Sequence, residues 1–171
     1  MKLKKGELVV YENSEICRYD GAVEKSFGNG QARNYLMFVP VFSRSTVYYL
    51  PRDRADDKIR KLLSKQEVLK LIDEMPLIEP VWVSDRNERK NAFSEVLRNG
   101  DRREIISVIK AVYLQRQKLA NSGKKLQISD EKTLSEAERL VKQEFSIVLD
   151  IEPAEVTDFI KNRIDRNDMT K

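Results

Sequence analysis

Apolar and polar positions alternate through the first fifty residues and then recur every three or four, so the chain changes period once, near Pro51. Runs at 7–11, 16–27, 34–41 and 45–50 are rich in β-branched and aromatic residues, and each predicts a strand. Turns are expected at Glu12-Asn13-Ser14, Gly28-Asn29-Gly30 and Ser43-Arg44-Ser45. Four short strands joined this way predict a small, strongly bent antiparallel sheet or open barrel. Pro40 belongs at an edge, a bulge or a strand end, because it has no N–H to give a ladder. Tyr48 and Tyr49 are neighbours on a strand and must point to opposite faces, one to the core and one to the surface. An unpaired strand edge in such a sheet is a place where a partner protein can add a strand.

After Pro51 the helical period takes over. Ile59, Leu62 and Leu63 form a short apolar stripe, and Ser64 with Glu67 reads as a capping box before Val68, Leu69, Leu71 and Ile72. Met75-Pro76 and Glu79-Pro80 break the pattern, since the residue before a proline is pushed out of the helical region. An elbow over 76–85 is expected. Asp85 then caps a helix carrying Phe93, Val96 and Leu97, which stops at Asn99-Gly100. Asp101 and Glu104 open the next helix, whose apolar face is Ile105, Val108, Ile109, Val112 and Tyr113 and which runs to about Ala120. Thr133 and Glu136 predict a further capping box, ahead of Ala137, Leu140, Val141, Phe145 and Val148. Pro153 opens the last helix, with Val156, Phe159, Ile160 and Ile164 on one face. The chain thus reads as α+β, with a small β module over 1–52 followed by an all-helical module of about five helices over 53–171.

Charge sharpens this picture. Residues 86–125 hold eleven Lys and Arg against four carboxylates, a local net of +7, in a chain whose total is only +4. Residues 126–160 compensate, with three cations facing nine carboxylates. Such asymmetry suggests a surface that faces a polyanion, nucleic acid being the commonest. Arg86, Arg89 and Lys90 crowd the start of one helix, where cations oppose the helix dipole at a few tenths of a kcal/mol each. Together with Arg102 and Arg103 they are candidate phosphate contacts, which would position the protein on a duplex without reading its sequence. The competing reading is a solvated face laced with weak helical pairs. Trp82, the single tryptophan, follows the two prolines of the elbow. It is either a staple packed under the elbow or an apolar wedge for a kinked or unpaired DNA step.

The remaining chemistry is sparse. The 171 residues suffice for one ordinary domain or two small ones, and no apolar run approaches the roughly 20 residues a membrane helix needs. The first residues are basic but no apolar stretch follows, so a cytoplasmic chain without a secretory signal is expected. Histidine is absent and Cys17 is the one cysteine, which excludes the usual Cys/His zinc sites and an internal disulfide. Cys17 reads as a small strand residue. No glycine-rich phosphate loop, nucleophile elbow or dinucleotide fingerprint is present, so no enzyme class and no cofactor is indicated.

At this point the residues carry a resemblance. Lys5-Gly6-Glu7-Leu8-Val9-Val10-Tyr11 resembles the opening strand of the CarD/CdnL transcription regulators, whose first module is shared with transcription-repair coupling factors. Asn34-Tyr35-Leu36 and Thr46-Val47-Tyr48-Tyr49-Leu50-Pro51 are similar to the later strands of that family. Ile59-Arg60-Lys61-Leu62-Leu63-Ser64 resembles its passage into helices, and the stretch from Arg89 to Asn99-Gly100-Asp101, then Val108-Ile109-Lys110, its helical module. The resemblance implies a Tudor-like or SH3-like β-barrel module that binds the β-subunit lobe of bacterial RNA polymerase. It also implies a helical module that touches promoter DNA at the upstream edge of the melted bubble and stabilises the open complex, with little base specificity. Such a protein is a monomeric regulator rather than an enzyme. Lys25, Arg33 and Tyr49 fall in or near the positions used against polymerase. The family's wedge tryptophan aligns with Arg86, four residues after Trp82. The alternative is an interaction adaptor whose basic face binds an acidic protein.

Overall fold

The computed structural model describes residues 2–28, 30–43 and 46–169, and the chain divides into two compact units, Met1–Leu62 and Leu63–Lys171. The first is a five-stranded antiparallel sheet of β1 (Leu8–Tyr11), β2 (Glu15–Lys25), β3 (Arg33–Pro40), β4 (Tyr48–Pro51) and β5 (Ile59–Lys61), in the order β4-β3-β2-β1-β5. A tight turn links β1 to β2. Glu12 and Asn13 there take φ of 46° and 61°, and the Ser14 N–H donates to the Tyr11 carbonyl at 3.1 Å, so the three residues between the paired Tyr11 and Glu15 reverse the chain through two left-handed positions. Between Tyr19 and Gly21 the β2–β3 register shifts by a bulge, with Gly21 at φ 121°, and the strand bends there. Pro40 ends β3, beyond the last residue paired with β4.

Two expectations need correction here. The stripe beginning at Ile59 is not helical: a single helical turn, α1 (Ala55–Lys58), gives way to β5, which pairs with β1. Ile59 is buried against Val9, Phe38 and Leu50, and three residues of apolar pattern cannot tell a strand from a helix when the sheet supplies the partner. The compact unit that holds the sheet accordingly spans Met1–Leu62. Nor is the sheet closed into a barrel among the described residues, because its short outer strands β4 and β5 each have one neighbour. The turn expected at Ser43-Arg44-Ser45, the start of the run at 45–50, and Asn29 of the glycine turn lie outside the described residues.

The second unit holds α2 (Lys65–Glu74), α3 (Arg86–Asn99), α4 (Arg102–Asn121), α5 (Ile128–Leu149) and α6 (Val156–Met169). Ser64 and Glu67 form the expected reciprocal capping box, at 2.7 and 3.2 Å. The α2 helix ends before Pro76 in a single 3₁₀ turn, Met75–Leu77. Just beyond it the Lys110 ammonium donates to the carbonyls of Met75, Pro76 and Ile78, a cation placed near the negative end of the helix dipole. Asp85 and Asp101 cap α3 and α4, and Gly100, at φ 76°, ends α3 in the left-handed conformation. The box expected at Thr133 is absent: α5 begins five residues earlier, and the Thr133 hydroxyl donates to the Ser129 carbonyl inside the helix.

Two apolar clusters hold this unit. One gathers Val68, Ile72, Ile105, Leu140, Phe145 and Val156 from α2, α4, α5 and α6; the other gathers Phe93, Val108, Val112, Leu126 and Leu134 from α3, α4, α5 and the loop before α5. Burying such side chains contributes about 1.5–3 kcal/mol each.

Candidate nucleic-acid interface

The hairpin of α3 and α4 turns at Gly100-Asp101, so the start of α3 and the end of α4 lie at the same end of the helical unit. Phe93, Leu119 and Leu126 meet there in one cluster, and the start of α5 joins them through Arg89 and Asp130. Apart from Arg98, the cations of residues 86–125 fall into two groups.

Some are structural. Arg89 is only 4% exposed. Its Nε and Nη2 donate to the two Asp130 oxygens at 3.0 Å each, and its Nη1 donates to the carbonyls of Val83 and Ser84. Arg102, equally buried, donates from Nε to Glu144 at 2.7 Å and from Nη1 to the Gly100 carbonyl. The other Glu144 oxygen accepts the Leu63 N–H at 2.9 Å. Both arginines were expected among the phosphate contacts, and the structure corrects that. A guanidinium already engaged by a buried carboxylate has no outward donors, and removing it from its partner would strand a charge in the interior. Arg103 is exposed but pairs with Glu74, Lys110 caps the end of α2, and Arg116 pairs with Glu131.

Others face solvent. Arg86, Lys90, Lys118, Lys124 and Lys125 are exposed, and among the described residues their side chains make no hydrogen bond or ion pair. Two of these are the residues expected from the helix start. The remaining three come from the end of α4 and the loop after it. Lys124-Lys125 stood out in sequence as a basic pair, and the structure packs Leu126, the next residue, into the cluster that holds Phe93 of α3.

Trp82 is half-buried. Its ring lies 4.3 Å from the Arg89 guanidinium carbon and meets Phe93 edge to face at 6.1 Å between centroids. Its ring thus packs against the Phe93 cluster and over Arg89, with part of it left at the surface. The more exposed apolar groups of the elbow are Leu77 and Val81, at 75% and 64%.

In the sheet unit, Lys25 and Arg33 are cross-strand partners, and the Lys25 ammonium sits 4.0 Å over the Tyr49 ring. Lys25 thus touches the surroundings of both other candidates: it pairs with Arg33 at the end of β2 and β3, and its side chain reaches Tyr49, which lies on β4 opposite Met37. Phe27, 53% exposed, packs edge-on against Tyr35 and Tyr49. Tyr48 points the other way and stacks on Tyr11 in the core, as the strand period requires. Among the described residues no group of three or more Cys, Asp or Glu could hold a metal ion, and no helix is long and apolar enough to cross a membrane.

Comparison with known proteins agrees with the helical half of this arrangement. The family described as "CarD, C-terminal domain" matches residues 67–161, more than half of the chain. No curated protein matches the chain.

Proposed function

This chain belongs to the CarD/CdnL family, and from that premise we propose that it is a bacterial transcription regulator that bridges RNA polymerase and promoter DNA. The Tudor-like sheet unit takes the polymerase β lobe through Lys25, Arg33 and Tyr49 and the exposed edge of β4. The helical unit lays its exposed cations against the upstream edge of the promoter bubble and stabilises the open complex. The observation that carries this reading is the sorting of cations: Arg89 and Arg102 are consumed in buried pairs, while Arg86, Lys90, Lys118, Lys124 and Lys125 are left facing solvent.

Phosphate contacts of that kind release counterions and carry no base specificity. Tethering to polymerase raises the local concentration, so weak intrinsic DNA affinity suffices. The chain acts by binding, in the cytoplasm, as a monomer and without a cofactor.

The test is the salt dependence of open-complex stabilisation. Five phosphate contacts give a slope of log K against log salt of roughly −4.5, and the double variant Arg86→Gln/Lys90→Gln reduces it to roughly −2.7. Polymerase retention by that variant should be unchanged. A slope that the double variant leaves alone rejects the phosphate role, and loss of polymerase retention with it favours an adaptor whose basic face binds an acidic protein.

A further inference from the structure

A cleft of about 570 Å³ lies in the helical unit among the Met75–Leu77 turn, α4, α5 and α6. Nothing in the bridging function uses it. Ile106, Ile109, Val141, Ile160 and Ile164 line its walls. Those positions follow the helical period of α4, α5 and α6, yet the cleft leaves part of their apolar surface without a protein partner. Its volume is within the range of clefts that hold small molecules.

The charged groups around it are of nearly one sign. Lys110, Lys142 and Lys161 line the cleft against a single carboxylate, Glu138. The Lys110 ammonium is committed to three backbone carbonyls. Glu138 is spoken for as well, accepting from the Tyr113 hydroxyl at 2.8 Å and from Lys142 at 3.3 Å. Lys161 is exposed and makes no ion pair among the described residues. An apolar slot with surplus positive charge at its border complements a molecule with a hydrocarbon body and one anionic head. A cationic or zwitterionic amphiphile would set like charge against Lys161.

We propose that this cleft binds a medium-chain carboxylate, its chain against Ile106, Ile109 and Ile160 and its head group at Lys161. The contacts are apolar along the chain, so affinity grows by about fourfold for each methylene that finds wall to cover.

Calorimetric titration of the full chain with decanoate, below its micelle concentration, tests this. Decanoate should saturate at one site, and octanoate, two methylenes shorter, should bind roughly fifteenfold more weakly. Decyltrimethylammonium, with the same chain and the opposite charge, should bind at least about tenfold more weakly than decanoate. Lys161→Gln changes only an exposed side chain at the border and should cost decanoate about tenfold. Thr157→Trp, which puts a ring into the cleft from a half-buried position outside the apolar core, should abolish the heat while circular dichroism shows the helices intact. Absence of a saturable site in the unaltered chain overturns the proposal. So does equal binding of the cationic amphiphile, or undiminished binding by folded Thr157→Trp. An acidic amphipathic peptide that saturates the cleft where decanoate does not would assign it to a protein partner and equally overturn it.

Discussion

Arg86 and Arg89 differ by three positions and share a residue type, yet one meets water and the other a buried aspartate. Arg89 closes a small assembly in which Trp82 covers its face, Asp130 takes two of its N–H groups and the elbow carbonyls take others. Arg89→Ala should therefore destabilise the helical unit by about 3–5 kcal/mol, because Asp130 is left charged and dry. Arg86→Ala should change stability by less than about 0.5 kcal/mol. Urea unfolding followed by the fluorescence of Trp82, the single tryptophan, reads both directly. In sequence the two arginines belonged to one basic cluster, since charge and spacing say nothing about a partner 41 residues away. Trp82 was legible only as a pair of alternatives for the same reason: a large ring after two prolines packs wherever the fold puts Phe93.

At the scale of elements, local chemistry was far more legible. The Ser64–Glu67 box, the Asp85 and Asp101 caps and the left-handed Gly100 stop all stand where the sequence puts them, because each depends on residues within four positions. Ser64→Ala should cost about 1 kcal/mol, read from the same fluorescence transition, since the cap holds α2 and with it buried Val68 and Ile72. The start of α5 and the β5 strand were not legible, because tertiary partners decided both. Residues 128–132 become helical with Asp130 bound to Arg89, and Ile59–Lys61 becomes a strand because β1 offers it a ladder.

Helix α6 is tied to α2 by a further contact of this kind. Arg163 donates from Nε and Nη2 to the two Asp73 oxygens at 2.7 Å each, and Asn167 donates to the same carboxylate. The Arg163 hydrogen bonds hold the Asp73 carboxyl below its ordinary 3.8. A carboxyl depressed in the folded state contributes its stability in full above its unfolded value and loses it as pH falls through the folded one. The tie should thus be intact at neutral pH and weaken below about pH 4. Asp73→Asn should lower stability at pH 7 by no more than about 1 kcal/mol, given the partial exposure of the pair. The difference from the unaltered chain should shrink in acid, as a thermal melting series across pH 3–7 would show.

For the whole molecule, each unit has its own core and, by composition, its own probe: the single cysteine lies in the sheet unit and the single tryptophan in the helical one. Cys17 is buried and its thiol is pushed up to about 12, chiefly by burial, so a thiol reagent should label it slowly until the sheet opens. Arg89→Ala should move the tryptophan midpoint in urea and leave the Cys17 labelling curve in place; a common shift of both would mean the units unfold as one. The sequence by itself determined the α+β division, the strand and helix periods, most helix ends and the +7 segment. Each of these is set by neighbours along the chain, through backbone sterics, capping and hydrophobic period. Only the tertiary structure decided which cations face outward, that the Lys25 ammonium sits over Tyr49, and that α4, α5 and α6 line an apolar cleft. Those facts depend on which distant carboxylate or apolar face each side chain meets, and burial energy selects the meeting without leaving a periodic trace in the chain.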